Sequence, residues 1–439
     1  MRFLYTLFIY FYKLVIYIVS PFHSKAKLWK NGRKNLFSDL QEKCKDKENI
    51  ICFHCASLGE FEQAKPLMER MKIEYPNATI LLSFFSPSGF EYKKNDPVTD
   101  IVTYLPIDTP HLVEKFLQIV KPIAFFFIKY EFWYNLMHRL YLQKIPFFYV
   151  SAIFRPSQIF FRKSGKWFAQ QLKKASFFFV QNEFSKQLLF QIGIHNVEIS
   201  GDTRFDRVNA IAQQTSDFQF INSFKKNKKL LIAGSSWRPD EKILKDVFEH
   251  FQDDYKLIIA PHHIEKKNIQ EIIALFHSYK TILYSEIVDN HDFDNSQIMI
   301  IDSIGLLSKI YRYATVVYIG GGFETGLHNI LEAAVFGIPV FFGPQYQKFN
   351  EAVELTAKGG AFSIHNSVEM IEKMQNFERY KENYERSCQI CRQYVLENFG
   401  AVEKIIAVLF DNRLGRFSPL ILPICHLTTL AMFLHIIMM

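Results

Sequence analysis

The chain has 439 residues, which excludes a single domain of typical size and suits two domains with appended segments. Hydrophobic residues make up 49% of the sequence, enough for two substantial cores, and the 45 phenylalanines account for most of the 16% aromatic share. The formal net charge of +8 favours an anionic partner, such as a membrane surface, a nucleotide or a phosphorylated substrate.

The first predicted element is an apolar, aromatic-rich stretch at residues 3–20 that is interrupted by Lys13. A basic segment follows, and no acidic residue occurs before Asp39. The stretch is long enough for one membrane span, whereas an interfacial anchor tolerates Lys13 better and a cleaved signal peptide would need a better cleavage site. Basic residues mark the cytoplasmic side of a membrane. Residues 1–35 therefore predict a membrane anchor with a basic flank, attached to a cytoplasmic protein body.

Residues 36–208 alternate apolar runs with amphipathic segments, which is typical of a parallel sheet covered by helices on both faces. The predicted strands are 50–53, 79–86, 101–106, 122–130, 146–154 and 175–182. The polar segment 209–228 is predicted to be an interdomain linker because of its composition.

The alternation of strands and helices restarts in residues 229–410. The predicted strands here are 229–236, 255–263, 281–286, 298–305, 315–323 and 338–344. The whole pattern predicts an α/β protein in which two Rossmann-like, doubly wound domains face a cleft. The apolar stretch 411–439 contains two prolines and two histidines. Its role stays open between a second membrane contact and a poorly ordered tail.

Two C-x-x-C pairs, Cys52 with Cys55 and Cys388 with Cys391, raise the question of a metal site. The first pair lies on a predicted strand and points to alternate faces, and the second lies in a charged helical stretch. Reduced cytosolic thiols fit both pairs better, so we expect no metal.

The stretch CASLGEFEQAKP, residues 55–66, places Glu60 where a predicted strand leads into a predicted helix. Ser57 and Glu60 have the spacing of a capping box, which offers a structural explanation. Ligands of open α/β sheets bind at the carboxyl ends of the strands, and this offers a functional one. Spacing alone leaves both explanations open.

The strongest binding signal is YIGGGFETGLHNILEAAVFGIPVFFGP, residues 318–344. Glycines 320–322 would let the backbone approach a ligand, and a helix beginning near His328 or Asn329 would point its positive end at them. Glu332 could accept hydrogen bonds from ribose hydroxyls, and Ser235 and Ser236 are further phosphate candidates. We therefore predict a nucleotide site, with the alternative that the glycines only turn the chain.

Together these strings resemble the 3-deoxy-D-manno-octulosonic acid (Kdo) transferases of lipopolysaccharide synthesis, which are two-domain GT-B glycosyltransferases. The resemblance covers about residues 20–408. Besides the glycine-rich string it includes FHCASLGEFEQAKPL (53–67), KYEFWYNL (129–136), SGDTRFDRV (200–208), AGSSWRPDE (233–241), APHH (260–263), IIDSIGLLSKIY (300–311) and KFNEA (348–352). It implies transfer of Kdo from CMP-Kdo to the lipid A precursor, lipid IVA, with inversion, on the cytoplasmic side of the cell inner membrane.

The resemblance also implies residue roles. Glu60 matches the family's base, and the helix N-terminus is expected to keep it charged, so that it would be a weak base acting by position. Glu131 and Arg204 match an acidic and a basic residue near the reacting centre. By themselves they would be a solvated carboxylate and a surface salt bridge. The residues that match the CMP site are Pro261, His262, Ile304, Gly305, Leu306, Asn329, Ile330, Leu331 and Glu332.

The chain departs from the family pattern in the stretches that carry Glu131, Arg204 and His262. Lys129 stands where many relatives have a second acid, and Trp133-Tyr134-Asn135 lacks the usual central proline. Arg204 and His262 replace a common lysine and a common arginine. These changes weaken the residue assignments but leave the reaction class intact.

Two other functions remain open from the sequence. One is a different GT-B enzyme that uses a UDP-sugar, or a UDP-sugar epimerase; the other is a non-catalytic, membrane-tethered binding protein on a GT-B scaffold. The expected partners are CMP-Kdo, the lipid A precursor and the inner-membrane surface, with no nucleic acid. CMP-Kdo is expected as donor substrate without a metal cofactor, because no D-x-D motif occupies the usual place.

Overall fold

A computed structural model describes residues 1–214, 217–287, 295–324 and 326–410. The chain divides into a first unit, residues 1–203 together with the chain from Gly400, and a second unit, residues 204–399. The apolar stretch 411–439 lies outside the described residues, so its role stays a prediction.

The first unit is built on a parallel sheet with the strand order β3-β2-β1-β4-β5-β6-β7 among its described residues. Its strands are β1 (Ile50–Cys55), β2 (Thr79–Phe84), β3 (Ile101–Tyr104), β4 (Ala124–Ile128), β5 (Phe147–Ala152), β6 (Phe177–Val180) and β7 (Val197–Ile199). The helices are α1 (Arg2–Val19), α2 (Ser24–Asn31), α3 (Leu36–Lys43), α4 (Leu58–Glu74), α5 (Pro87–Lys93), α6 (Pro110–Val120), α7 (Tyr134–Leu142), α8 (Lys166–Leu172) and α9 (Glu183–Gln191). The order reverses between β1 and β4, as in a doubly wound fold.

The second unit repeats this architecture, with the order β10-β11-β9-β8-β12-β13-β14 and parallel pairing in its described part. Its strands are β8 (Lys229–Ser236), β9 (Tyr255–Pro261), β10 (Thr281–Leu283), β11 (Ile298–Ile300), β12 (Val316–Ile319), β13 (Val340–Phe342) and β14 (Ala361–Ser363). Its helices are α10 (Arg204–Gln213), α11 (Gln219–Lys225), α12 (Arg238–Phe251), α13 (Lys266–Leu275), α14 (Leu307–Ile310), α15 (Leu331–Ala334), α16 (Asn350–Lys358), α17 (Ser367–Arg379) and α18 (Lys381–Asn398). The prediction of two Rossmann-like domains is confirmed.

The unusual phenylalanine content is explained by the centre of the first sheet. Every residue of β1, β2, β4 and β5 is buried. The ring of Phe126 stacks on Phe53 at 4.8 Å and on Phe148 at 5.0 Å, across three neighbouring strands. Strands that are covered on both faces need apolar side chains at every position, so the runs show no alternation with polar residues.

The prediction that residues 209–228 form a linker is wrong, because the described residues of this segment are mostly helical. The segment carries the end of α10 and all of α11. Ile221 and Phe224 are buried in the core of the second unit, as are Phe205 and Val208 of α10. The apolar side chains of these helices are interspersed with lysines and other polar residues, so the composition resembles that of a linker although each helix has an apolar face.

The predicted second domain also extends too far, because its last helix, α19 (Ala401–Phe410), belongs to the first unit. Val402, Ile405 and Leu409 of this helix are buried in the same core as α4. Arg70 of α4 forms an ion pair with Glu403 at 3.2 Å. The chain therefore returns to complete the first core after it has built the second unit.

We expect Ile405→Ala to lower the free energy of unfolding by about 2–5 kcal/mol, because it leaves a cavity in a closed core. Urea denaturation of the full chain measures the change. Lys404→Ala, on the exposed side of the same helix, should change stability by no more than about 0.5 kcal/mol. Equal midpoints for the two variants would contradict the placement of α19.

Candidate active site

The carboxyl ends of β1 and β4 meet at the point where the strand order of the first sheet reverses. Open α/β sheets bind their ligands in the crevice at this point. β1 leads through Ala56 and Ser57 into α4, which carries Glu60, and β4 leads into Lys129 and then Glu131. The structure therefore brings the two predicted acidic residues to one place on the first unit.

Glu60 has the structural role that the spacing predicts. Its carboxylate accepts hydrogen bonds from the backbone N–H groups of Ala56 and of Ser57, the latter at 3.3 Å. Together with the side chain of Ser57 this completes a capping box, which confirms that prediction. The side chain is nevertheless buried, with only 5% of the residue exposed.

The expectation that the helix N-terminus keeps Glu60 charged, and therefore a weak base, is wrong. Burial, together with the nearby Glu131 carboxylate, raises the pKa of Glu60 from its ordinary value of 4.5 to about 7. The two backbone donors and the positive charge of Lys129 act in the opposite direction but do not compensate. A carboxylate with a pKa near the working pH is well suited to accept a proton in a transition state. The capping explanation and the functional one are therefore compatible.

Glu131 is held in position by its neighbours, although its side chain is 14% exposed. Its Oε2 atom accepts a hydrogen bond from Trp133 Nε1 at 2.9 Å and lies 3.6 Å from Nε2 of the buried His54. His54 Nδ1 faces the carbonyl oxygen of Ser83 at 3.1 Å. Because a carbonyl can only accept, Nδ1 carries the ring proton, and Nε2 lies 3.0 Å from Trp133 Nε1, whose single N–H is shared between His54 and Glu131.

Sequence reasoning assigned no role to His54 or Trp133. His54 lies one residue before the end of β1, and its side chain reaches the loop after β4 because those strands are neighbours. Lys129, the departure from the family pattern, has a left-handed backbone with φ of 66° and donates its N–H to the carbonyl of Val150 at 2.8 Å. Such a conformation in a non-glycine residue is uncommon, and it redirects the chain between β4 and Glu131.

Arg204, the third predicted catalytic residue, begins α10 in the second unit. Its Nη1 atom donates to Glu351 Oε1 at 2.7 Å, and the Glu351 side chain is only 8% exposed. This contact supports the salt-bridge explanation of Arg204. Its role near the reacting centre stays a prediction.

In the second sheet the strand order reverses between β8 and β12. The carboxyl end of β8, at Ser235 and Ser236, and the following Trp237 meet the glycine-rich loop after β12 at this point. The buried carboxylate of Asp240 joins these two segments. Its Oδ2 atom accepts from the backbone N–H groups of Trp237 at 2.9 Å and Gly321 at 3.1 Å, and its Oδ1 atom accepts from the Tyr318 hydroxyl at 2.7 Å.

The glycines are explained by contacts between backbone segments. A Cβ atom on Gly320 would lie 2.3 Å from the carbonyl oxygen of Ser235, and one on Gly322 would lie 2.7 Å from the nitrogen of Gly343. Gly321 has a φ of 93°. The tight packing of the loops thus requires glycine here, whether or not a ligand binds.

The predicted helix at His328 or Asn329 begins later and is short. α15 starts at Leu331 and spans four residues, so it lacks the macrodipole on which the phosphate argument rested. Asn329 Oδ1 accepts from the N–H of Leu331 at 3.2 Å, and Asn329 Nδ2 donates to Glu332 Oε1 at 3.2 Å. The turn at Asn329, stabilised by its own side chain, replaces the first turn of the predicted helix.

The residues predicted to contact CMP lie at or after the carboxyl ends of β9, β11 and β12, and therefore share one edge of the second sheet. They differ in exposure. His262, Ile304 and Gly305 are exposed and Asn329 and Glu332 are half-buried, whereas Pro261, Leu306, Ile330 and Leu331 are buried. The buried members could offer only backbone groups to a ligand. Ser236 is buried as well and donates to Glu241 at 3.2 Å.

Three aromatic rings stack at this edge, and sequence reasoning singled out only one of them. The ring of Trp237 lies on His262 with 4.5 Å between centroids, and His262 lies 4.7 Å from His328. Trp237 Nε1 donates to His328 Nε2 at 3.3 Å. Burial and the neighbouring His262 lower the pKa of His328 to about 4, so His328 is neutral at pH 7 and free to accept this bond.

Within the ranges that the structure describes, no group of three or more His, Cys, Asp or Glu side chains is arranged to hold a metal ion. Cys52, Cys55 and Cys391 are free and buried, and Cys388 is half-buried. The expectation that no metal takes part stays a prediction.

Comparisons with known proteins agree with the arrangement in the first unit. A family profile described as 3-deoxy-D-manno-octulosonic-acid transferase matches residues 31–207. A transferase of that name from Aquifex aeolicus is 28% identical over 340 residues, which cover 76% of this chain and 87% of the relative. The chain is a homologue of the Kdo transferases. The resemblance that the motifs suggest is thereby confirmed.

Other relatives extend the match. A Kdo transferase from Haemophilus influenzae is 25% identical over 374 residues, covering 82% of this chain and 86% of the relative. Among solved structures, the UDP-GlcNAc 2-epimerase of Neisseria meningitidis bound to UDP-GlcNAc aligns with a TM-score of 0.60 at 16% identity, over 83% of this chain and 99% of the epimerase. That likeness concerns the fold alone, and it agrees with the two Rossmann-like domains of a GT-B protein.

Proposed function

We propose that this protein transfers Kdo from CMP-Kdo to the lipid A precursor, with inversion, on the cytoplasmic side of the inner membrane. The observation that carries the proposal is Glu60, a buried carboxylate with a pKa of about 7 at the switch point of the first sheet. It lies inside the region that matches the Kdo transferase profile. The relatives named Kdo transferase supply the choice of sugar.

In the proposed step, a hydroxyl oxygen of the acceptor attacks the anomeric carbon of Kdo while the bond from that carbon to the CMP phosphate oxygen breaks. Glu60 accepts the hydroxyl proton, and CMP leaves with the bonding electron pair. A single displacement inverts the anomeric centre. Glu131 contributes by raising the pKa of Glu60, and Trp133 keeps Glu131 in place by donating a hydrogen bond to its carboxylate.

The second unit holds the nucleotide in this proposal. The exposed ring of His262, backed by Trp237, offers a flat face for a base, since rings stack readily on such faces. Asn329 and Glu332 offer amide and carboxylate groups for ribose hydroxyls. The backbone at Ile304, Gly305 and Leu306 lies at the same edge. Transfer without a metal cofactor, as the sequence predicts, is part of this proposal.

The proposal is tested by incubating the full chain in detergent with CMP-Kdo and lipid IVA and measuring the mass of the product by mass spectrometry. We expect the acceptor mass to rise by one or more Kdo increments. In a parallel experiment in which CMP and UDP compete for binding to the protein, we expect CMP to bind more tightly. Preference for UDP would point to a UDP-sugar enzyme, and CMP binding without any product would point to a binding protein.

A further inference from the structure

The N-terminal helix α1 has two distinct faces. In the part of the chain that the structure describes, it is the one helix long and apolar enough to cross a membrane. The exposed face carries large apolar side chains: Phe3, Leu4, Leu7, Phe8, Phe11, Leu14, Val15 and Ile18. The opposite face of the helix contacts the rest of the first unit. Its residues recur every three or four positions: Arg2, Tyr5, Thr6, Ile9, Tyr12 and Ile16. Composition alone does not reveal this division.

The beginning of α1 is fastened by polar contacts. Tyr5 donates its hydroxyl to Asp108 Oδ2 at 2.6 Å, and Arg2 Nε donates to Asn135 Oδ1 at 3.1 Å. Asn135 Nδ2 in turn donates to Thr6 Oγ1 at 3.2 Å. The buried Asp108 also accepts from the N–H groups of Asn135 and Leu136, both at 2.9 Å, so it joins α1 to the start of α7. Breaking these contacts would leave a buried carboxylate with fewer partners.

The later turns of α1 rest on the same unit. Ile9 is buried against Trp29 and Ile107, and Ile16 packs on this cluster. The ring of Tyr12 lies 6.4 Å from that of Trp29 and 6.5 Å from that of Phe85. One face is thus occupied from Arg2 to Ile16, nearly the full length of about 27 Å.

This contact pattern excludes a helix that crosses the bilayer while the first unit keeps its contacts. A span would put the two ends of α1 on opposite sides of a hydrocarbon layer about 30 Å thick. Arg2 and Tyr5 at one end, and Ile16 at the other, touch residues of the same folded unit. That unit, with its charged and polar surface, cannot lie in hydrocarbon.

The contacts of α1 also locate it on the sheet. Phe85, Asp108 and Asn135 follow the carboxyl ends of β2, β3 and β4. Glu60 and Glu131 follow β1 and β4 at the same edge. The ring of Phe85 lies between Tyr12 of α1 and Trp133, 4.9 Å from the latter, and Trp133 donates to Glu131. The exposed apolar face of α1 therefore belongs to the end of the first unit that carries the candidate base.

Charge identifies the partner of this face. No acidic residue occurs among the first 38 residues, and Lys25, Lys27 and Lys34 of the following segment are exposed. An apolar, aromatic face beside such a run of lysines matches a bilayer surface with anionic headgroups.

We propose that α1 lies in the plane of an anionic bilayer surface, with both ends on the same side, and holds the carboxyl-end edge of the first sheet against the headgroups. A lipid acceptor could then reach Glu60 without leaving the membrane; this last consequence rests on the proposed function. The first part is independent of it.

The apolar contact is tested by flotation of the full chain with vesicles of phosphatidylglycerol and phosphatidylcholine. Phe8→Ser/Phe11→Ser removes two side chains that are 61% and 60% exposed, so folding should persist. We expect partitioning to fall at least about 10-fold, because each phenylalanine buries a large apolar surface in lipid. Ile73→Ser, which changes an exposed apolar residue of α4, should partition like the wild type. Unchanged partitioning of the double variant would overturn the proposal.

The orientation is tested with a cleavable tag before Met1 on the otherwise unchanged chain, in inverted inner-membrane vesicles whose cytoplasmic face is outside. We expect added protease to remove the tag without detergent. Protection of the tag until detergent is added would show a spanning helix and overturn the proposal. Neither readout involves Kdo transfer, so a failure of the proposed function would leave both results standing.

Discussion

Replacing Glu60 by glutamine is expected to reduce Kdo transfer by about 10²-fold or more while CMP binding is retained. Glutamine can still accept hydrogen bonds from the N–H groups of Ala56 and Ser57, so the start of α4 should keep its cap. It cannot accept a proton at neutral pH. The measurements are the single-turnover rate with CMP-Kdo and lipid IVA, and calorimetric binding of CMP.

Glu62 offers a matched control, because it lies on the same helix and its half-buried carboxylate forms an ion pair with Lys93 at 3.3 Å. Glu62→Gln should transfer at the wild-type rate. The wild-type rate should fall as the pH drops below about 7, since Glu60 must be ionised to act as base. Turnover by Glu60→Gln at the rate of the Glu62→Gln control would remove Glu60 from the mechanism.

The pH dependence of the free energy of unfolding provides a second test of the raised pKa of Glu60. The folded protein raises its pKa from 4.5 to about 7, so between these values the folded state binds a proton that the unfolded state has released. The contribution of Glu60 to stability therefore falls as pH rises through this window. Glu60→Gln removes that dependence, and its stability relative to the wild type should increase between about pH 5 and about pH 8. A constant difference in urea denaturation would contradict the buried site.

Replacing Asp240 by alanine is expected to destabilise the second unit by about 3 kcal/mol or more and to weaken CMP binding strongly. Two backbone N–H groups and the Tyr318 hydroxyl lose their acceptor, and each unsatisfied buried group costs about 1–3 kcal/mol. The loops after β8 and β12 then lose the group that joins them. Urea denaturation and CMP calorimetry measure the two effects.

Tyr318→Phe is a graded companion to this variant, because it removes one of the three bonds and should cost about 1 kcal/mol. Asp246→Ala is the matched control, since that aspartate lies on the exposed side of α12 and accepts a hydrogen bond from the Ser367 hydroxyl at 3.0 Å. It should behave like the wild type. If Asp240→Ala matched Asp246→Ala in both stability and CMP affinity, the joining role of Asp240 would be wrong.

Local features of the fold were predictable from the sequence. β8 has the predicted bounds, and the capping box of Ser57 and Glu60 forms as its spacing indicates. The other predicted strands mostly end too late, because the predicted bounds include loop residues at the carboxyl ends of the strands. The three-residue strands β7 and β14 were missed because so short a run carries no clear pattern.

Features that depend on contacts between distant segments were not predictable. His54 and Trp133 meet beside Glu131 only because β1 and β4 are neighbours, and Asp240 meets Gly321 only because β8 and β12 are. The pKa of Glu60 was predicted in the wrong direction, because the helix N-terminus is visible in the sequence whereas burial and the approach of Glu131 are not. The place of α19 in the first unit is likewise a matter of long-range packing.

The return of α19 to the first unit has a consequence for biosynthesis. During synthesis, residues 1–399 are made before α19, the helix that completes the first core beside α4. An apolar surface of the first unit therefore stays uncovered while the intervening 196-residue unit is being made, and exposed surface of this kind is prone to aggregate. Synthesis that stops before Ala401 should yield a fragment that aggregates or is degraded, even though both parallel sheets are complete in its sequence.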